Sequence, residues 1–86
     1  MPYRVAFASG ADRALAKLPH DIQRRIVKRV TALADDPRPS GATQLRGSEA
    51  GYLRIRVGDY RVIYTIDDAV LLVLVVRIGH RREVYR

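Results

Sequence analysis

Three arginines, Arg54, Arg56 and Arg61, lie in one short run in which apolar and polar residues alternate. Such alternation predicts two half-buried strands, and the Gly58-Asp59 pair between them predicts a two-residue hairpin turn. With this turn Arg56 faces Arg61 across the hairpin, and all three guanidinium groups share one face. Like charges directly opposite each other destabilise a sheet, and a fold tolerates them most easily when an anion lies between them. Since guanidinium groups bind phosphate in a bidentate manner, the pattern predicts a phosphate site and indicates a nucleic-acid ligand.

The residues on the other face of the hairpin are apolar and are expected to form one wall of the core. They alternate with the arginines, so the arginines are expected to face solvent. The predicted core set is Leu53, Ile55, Val57, Tyr60, Val62 and Tyr64.

Composition limits the class of protein. The chain has 86 residues, which predicts a single domain over residues 1–86, and its net charge of +7 favours a polyanionic partner. Cysteine is absent and the two histidines are far apart in sequence, so neither a metal nor another cofactor is expected. The longest apolar run, Ala69 to Val76, is too short to span a bilayer, and the N-terminus does not resemble a signal peptide. We therefore expect a soluble, cytoplasmic protein without membrane contact.

Hydrophobic periodicity predicts the element order β-α-α-β-β-β. A first strand from Tyr3 to Ala8 precedes two helices, and a loop from Asp35 to about Gly51 leads into the arginine hairpin. A last strand covers about Val70 to Ile78. The predicted fold class is α+β, with a helical hairpin packed on one face of a small, mainly antiparallel sheet. The apolar stripe of the second helix is Ile22, Ile26, Val30 and Leu33.

The register of the last strand determines which face carries Arg77. A two-residue turn at Asp67-Asp68 places Arg77 on the core face, whereas a loop of odd length places it beside Arg61. The sequence leaves both alternatives open.

Three segments resemble the RelE branch of the RelE/ParE toxins. They are Leu45-Arg46-Gly47, the stretch from Tyr52 to Tyr64, and the ending from Ile78 to Tyr85, which reads Gly-His-Arg-Arg-Glu-Val-Tyr after its first residue. The likeness extends over nearly the whole chain and includes the helical hairpin. It implies a RelE-like fold, a ribosome-dependent endoribonuclease that cleaves mRNA and inhibits translation, and a RelB-like antitoxin that wraps and inhibits it.

The resemblance also implies RNA cleavage without a metal. The 2′-hydroxyl attacks the adjacent phosphate, leaving a 2′,3′-cyclic phosphate and a 5′-hydroxyl, which requires a base, an acid and cations for the phosphorane oxygens. By this likeness Arg61 grips the phosphate, Arg81 lies near the leaving group and Tyr85 stacks on a base or contacts the attacking sugar. The implied RNA-binding residues are Arg46, Arg54, His80 and Arg82.

The chain departs from the family pattern where Arg54 and Arg56 replace two lysines of some members. Arginine does not give up its proton in proteins, so with Arg56 in the catalytic set another group must deprotonate the 2′-hydroxyl. The sequence leaves this base open, and the ribosome is a further source of such a group. The candidates in the chain are Glu49, His80, Glu83 and Tyr85.

Two other functions are compatible with the sequence: a ParE-like toxin that inhibits DNA gyrase without cleaving RNA, and a nucleic-acid-binding module without catalysis. The set Arg61, Arg81 and Tyr85 favours the nuclease, because the ParE branch usually lacks it. An antitoxin is expected to lay an acidic or amphipathic helix over the helical hairpin or the basic concavity. The basic residues of the second helix are expected to form a solvated face, and they are Arg24, Arg25, Lys28 and Arg29.

Overall fold

A computed structural model describes residues 2–80, in which two helices cover one face of a five-stranded sheet. The strands are β1 (Arg4–Phe7), β2 (Thr43–Gln44), β3 (Leu53–Val57), β4 (Tyr60–Asp67) and β5 (Leu72–His80). The helices are α1 (Ser9–Ala16) and α2 (His20–Ala32), and a 3-10 helix spans Gly47–Glu49. The predicted α+β class and the placement of the two helices are confirmed. Neither helix in this part of the chain is long and apolar enough to cross a membrane.

The strand order in the sheet is β1-β5-β4-β3-β2. Strands β3, β4 and β5 form the predicted antiparallel meander, and β1 pairs with β5 in the parallel direction at one edge. Strand β2 was not predicted: its two residues lie within the segment predicted to be a loop, and they pair with the start of β3. A two-residue strand of polar side chains carries no periodic signal, which explains why the sequence did not reveal it.

The core lies between the helices and the sheet. The α2 stripe was predicted correctly: Ile26, Val30 and Leu33 are almost completely buried, and Ile22 packs against them. Burial of such a side chain contributes about 1.5–3 kcal/mol relative to an exposed one. The helices are therefore held to the sheet chiefly by this stripe and the facing side chains of β3, β4 and β5.

A β-bulge in β5 determines the register that the sequence left open. Tyr64 pairs with Val75, whereas the preceding residue of β4, Ile63, pairs with Arg77, so Val76 is the extra residue. The β4–β5 loop contains four residues, an even number that by itself would place Arg77 on the helix-covered face. The bulge reverses the alternation and places Arg77 on the opposite face.

Candidate functional site

The hairpin has the predicted two-residue turn and the predicted pairing of Arg56 with Arg61. Arg56 faces Arg61 and Arg54 faces Ile63, around a turn in which Gly58 has a φ of +61°. In a two-residue hairpin the residues flanking the turn form a hydrogen-bonded pair, so Arg56 and Arg61 form the next, non-hydrogen-bonded pair. Side chains approach most closely in such pairs, with Cβ atoms about 4.5–5.5 Å apart. The side chains of Arg56 and Arg61 thus leave the sheet side by side on the same face.

Four arginines share the sheet face that the helices leave uncovered, and we call this the arginine face. It carries Arg54 and Arg56 from β3, Arg61 from β4 and, because of the bulge, Arg77 from β5. Sequence reasoning did not include Arg77 among the site residues. The signal that could have identified it, a bulge at Val76, depends on pairing with β4 and is not visible in the sequence of β5 alone.

Arg61 is buried rather than solvent-facing. Its exposed fraction is 4%, and its Nε and Nη1 atoms are shielded from solvent. The prediction that the arginine face is open to solvent is therefore wrong for Arg61, while Arg56 is exposed and Arg54 is half-buried. Ile63, between Arg54 and Arg77 on this face, is also buried, with 1% exposed. A partly dehydrated cation attracts an anion more strongly than an exposed one, because water screens the interaction less.

Glu49 brings a carboxylate to this face. Its Oε2 atom lies 2.8 Å from Nη2 of Arg77. Glu49 ends the 3-10 helix that precedes β3, so this contact reaches from the β3 side of the sheet to a residue of β5. Of the four bases proposed in the chain, Glu49 is the one that the described structure brings to the arginine face.

His80 lies on the other side of the sheet. It pairs with Tyr60, and the two rings meet edge to face with centroids 5.5 Å apart. The structure thus places His80, a predicted RNA-binding residue, away from the hairpin arginines: it borders an open cavity of about 510 Å³ beside α1, with Arg13 and Lys17. The bulge is again the reason, since it places Gly79 opposite Arg61 and turns the next residue toward α1.

Arg46 is exposed just before the 3-10 helix. The last β2–β3 pair is Gln44 with Leu53, so Arg46 lies beyond the end of β3 that is opposite to Arg56. The predicted RNA-binding residue Arg46 and the predicted catalytic residue Arg56 therefore lie at opposite ends of β3. Four further predicted residues lie outside the described residues, namely Arg81, Arg82, Glu83 and Tyr85.

Helix α2 supports the hairpin from the opposite side. Nη1 of Arg29 donates a hydrogen bond of 3.1 Å to the main-chain oxygen of Arg56. The guanidinium of Arg25 lies beside Gly58, and both helix residues border a second open cavity with Lys28. The basic face of α2 therefore continues into the tip of the hairpin, instead of being only a solvated face.

Burial excludes the hydroxyl of Tyr64 from the chemistry of the arginine face. Tyr64 is fully buried, as predicted, and its hydroxyl donates a hydrogen bond of 2.7 Å to the main-chain oxygen of Pro37. Burial raises the pKa of Tyr64 to about 12. This hydroxyl is therefore a structural donor and is not a base for the arginine face.

A separate polar cluster lies at the far end of β4. Arg38 makes a bidentate ion pair with Asp68, whose carboxylate also accepts a hydrogen bond from the hydroxyl of Tyr3. The hydrogen bonds from Arg38 and from Tyr3 lower the pKa of the Asp68 carboxyl. This cluster ties β1 to two loops and is distant from the hairpin tip along β4.

Comparisons with known proteins identify the family of this chain. The family model described as ParE toxin of type II toxin-antitoxin system, parDE, matches residues 5–85, and the chain belongs to this family. It is 39% identical to the toxin RelG of Mycobacterium tuberculosis over 87 residues, covering 100% of this chain and 99% of that protein. It is 38% identical to the toxin RelE of the same organism over 86 residues, covering 99% of this chain and 88% of that protein. The predicted membership of the RelE/ParE superfamily is thus confirmed.

Solved structures give the same result. The RelBE2 toxin–antitoxin complex of Mycobacterium tuberculosis matches with a TM-score of 0.85 and 36% identity, covering 94% of this chain and 100% of that chain. The isolated RelE toxin of Escherichia coli matches with a TM-score of 0.79 and 26% identity, covering 96% of this chain and 90% of that chain. The chain is therefore a toxin of a type II toxin–antitoxin system with the RelE fold.

Proposed function

We propose that this toxin is a ribosome-dependent endoribonuclease that cleaves mRNA and so inhibits translation. The observation that carries the proposal is the direct pairing of Arg56 with the buried Arg61 on a face that also holds Arg54 and Arg77. Phosphoryl chemistry requires cations held in place before the reaction, and this arrangement supplies them. The names of the RelE and RelG relatives support the same assignment.

In the proposed reaction the 2′-hydroxyl oxygen attacks the adjacent phosphorus. The O2′–P bond forms as a base takes the proton of the 2′-hydroxyl, and the P–O5′ bond breaks as O5′ takes up a proton from an acid. The products carry a 2′,3′-cyclic phosphate and a 5′-hydroxyl. Arg61 and Arg56 stabilise the negative charge that develops on the non-bridging oxygens. By the family resemblance, Arg81 acts near the leaving oxygen and Tyr85 acts on the base or the attacking sugar, while Arg54 and Arg82 hold neighbouring phosphates.

We further propose that a RelB-like antitoxin is the protein partner. The structural neighbours include RelB–RelE complexes from Mycobacterium tuberculosis and from the archaeon Pyrococcus horikoshii, the latter with a TM-score of 0.81 and 30% identity. A basic toxin with a net charge of +7 favours an acidic inhibitor.

A cleavage assay tests the proposed activity. The purified protein is added to translating ribosomes that carry a defined mRNA, and the ends of the fragments are mapped. We expect cuts at fixed positions within codons, with 5′-hydroxyl ends, only when ribosomes are present. An intact message would refute the nuclease assignment.

A second candidate is a ParE-like gyrase inhibitor, because the matching family model carries the ParE name. The discriminating reaction contains DNA gyrase and supercoiled DNA in place of ribosomes. Accumulation of gyrase–DNA adducts together with an intact message would support this candidate. Salt-sensitive RNA binding with neither outcome would instead indicate a module that binds nucleic acid without catalysis.

A further inference from the structure

The ion pair between Arg77 and Glu49 lies on the arginine face only because a bulge interrupts the regular pairing of β5 with β4. Without the bulge at Val76, Arg77 would point toward the helices. Bulges are common beside functional sites because they redirect one side chain. The pair itself adds little to stability, because both side chains are about half exposed, at 49% and 43%.

The side chain of Arg77 is about half exposed on the arginine face, so a ligand can reach it. Its neighbour on the same face of β5, Gly79, has no side chain and lies directly opposite Arg61. At this position β5 contributes no side chain, while Arg56 on β3 is the neighbour of Arg61 on its other side. Diagonal neighbours in a sheet are about 7–8 Å apart, a separation that arginine side chains bridge.

Because the Arg77–Glu49 ion pair is about half exposed, another anion can replace the Glu49 carboxylate as the partner of Arg77. A phosphate oxygen offers Arg77 the same charge-assisted hydrogen bonds as the Glu49 carboxylate, and guanidinium groups bind either anion in a bidentate manner. Glu49 therefore holds the side chain extended over the face and competes with a phosphate for it.

We propose that Arg77 is a further RNA-phosphate-binding residue and that Glu49 is its positioning residue, which a phosphate of the bound RNA displaces. This inference rests on the proposed function, since it assigns part of the RNA site to β5. It adds to the hairpin arginines a fourth cation, which contacts a phosphate next to the scissile one.

Equilibrium binding tests the role of Arg77 without requiring cleavage. The probe is a fluorescent single-stranded oligouridylate with 2′-O-methyl groups, which the protein cannot cleave, and its affinity is measured as a function of salt. Each phosphate contact contributes about −0.7 to the slope of log K against log salt for single strands. We expect Arg77→Ala to reduce the magnitude of the slope by about 0.7 and Arg77→Lys to retain most of it. An unchanged slope in Arg77→Ala would overturn the proposal.

The role of Glu49 is tested in the same assay by coupling. Glu49→Gln releases Arg77, so we expect the affinity for the oligouridylate to rise about two- to fivefold, the size of an exposed ion pair. In the Arg77→Ala background the same substitution should give no gain. A gain that persists there would show a general charge effect and refute the positioning role.

The Arg38–Asp68 ion pair provides matched controls at the far end of β4, with similar exposure of 51% and 56%. We expect Arg38→Ala and Asp68→Asn to leave the salt slope and the affinity for the oligouridylate unchanged. Effects equal to those at Arg77 and Glu49 would overturn the proposal.

The ribosome assay is run in parallel. A wild-type protein that does not cleave, but whose binding depends on Arg77, would refute the proposed function and leave this inference standing. Normal cleavage by the wild-type protein, with no effect of Arg77→Ala on binding, would support the proposed function and refute the role of Arg77.

Discussion

The guanidinium of Arg29 on α2 donates a hydrogen bond to the main-chain oxygen of Arg56, 3.1 Å away. Arg56 belongs to a non-hydrogen-bonded pair, so its carbonyl points away from β4, and β2 ends its pairing at Arg54. The helix therefore satisfies an edge carbonyl that the sheet leaves open. Through this bond α2 fixes the strand segment that carries Arg56.

We predict that Arg29→Ala lowers the rate of mRNA cleavage several-fold by loosening Arg56. The free energy of unfolding should fall by at most about 1 kcal/mol, since a single exposed hydrogen bond is lost. The matched control is Arg24→Ala, which removes an exposed cation from the same helix. Equal losses of cleavage in the two variants would indicate that α2 acts through charge alone.

Arg61 is predicted to be the most sensitive position of the arginine face. Since it is buried, Arg61→Ala would remove both charge and packing, whereas Arg61→Met keeps most of the aliphatic volume. We expect Arg61→Met to remain folded and to lose about 10²–10³ in cleavage rate, the typical effect of removing one donor to a developing anion. Arg56→Met, at the exposed partner position, is expected to lose less. Full toxicity of a folded Arg61→Met protein during growth in cells would contradict the assignment.

Tyr64 is predicted to make stability depend on pH in the alkaline range. Its pKa is 10.0 when unperturbed and about 12 in the fold, so the folded state holds the proton more tightly. The contribution is fully present below pH 10 and is lost as the pH rises toward 12, in total about 2–3 kcal/mol. In Tyr64→Phe this loss should be absent, while the free energy of unfolding at neutral pH should fall by about 0.5–1.5 kcal/mol as the bond to Pro37 is lost. Urea denaturation at a series of pH values measures both effects.

Gly58→Ala is predicted to destabilise the hairpin by about 1–2 kcal/mol. Gly58 has a positive φ, which costs a residue with a Cβ atom about this much, and the added methyl group would also lie against the guanidinium of Arg25. Gly41→Ala is the matched control, because its φ is not positive and a Cβ there has open space. Chemical denaturation should show a shift for the first variant and little change for the second. Equal shifts would indicate that the turn does not require a left-handed residue.

The sequence predicted those features whose cause is local. The pairing of Arg56 with Arg61 follows from a two-residue turn and strict alternation, both of which can be read in one stretch of chain. The stripe on α2 follows from helical spacing in the same way. Both predictions are confirmed because no distant contact competes with these local signals.

The features that the sequence did not predict depend on contacts between distant segments. The bulge at Val76 exists only when β5 is paired with β4, and it alone decides which face receives Arg77 and which receives His80. Burial of Arg61 likewise depends on contacts with residues outside the hairpin. The alternation of residues within the hairpin does not predict such contacts. The sequence therefore predicted the Arg56–Arg61 pair at the centre of the candidate site, whereas it left the register of β5 open.

Strand β5 lies between β1 and β4, although it is the last of these three to be synthesised. The sheet cannot close until Leu72–His80 has been inserted between two strands that were made earlier. Pairing of β1 with β5 joins segments almost a chain length apart, and such contacts form slowly. A nascent toxin therefore has an incomplete arginine face while β5 is still being translated.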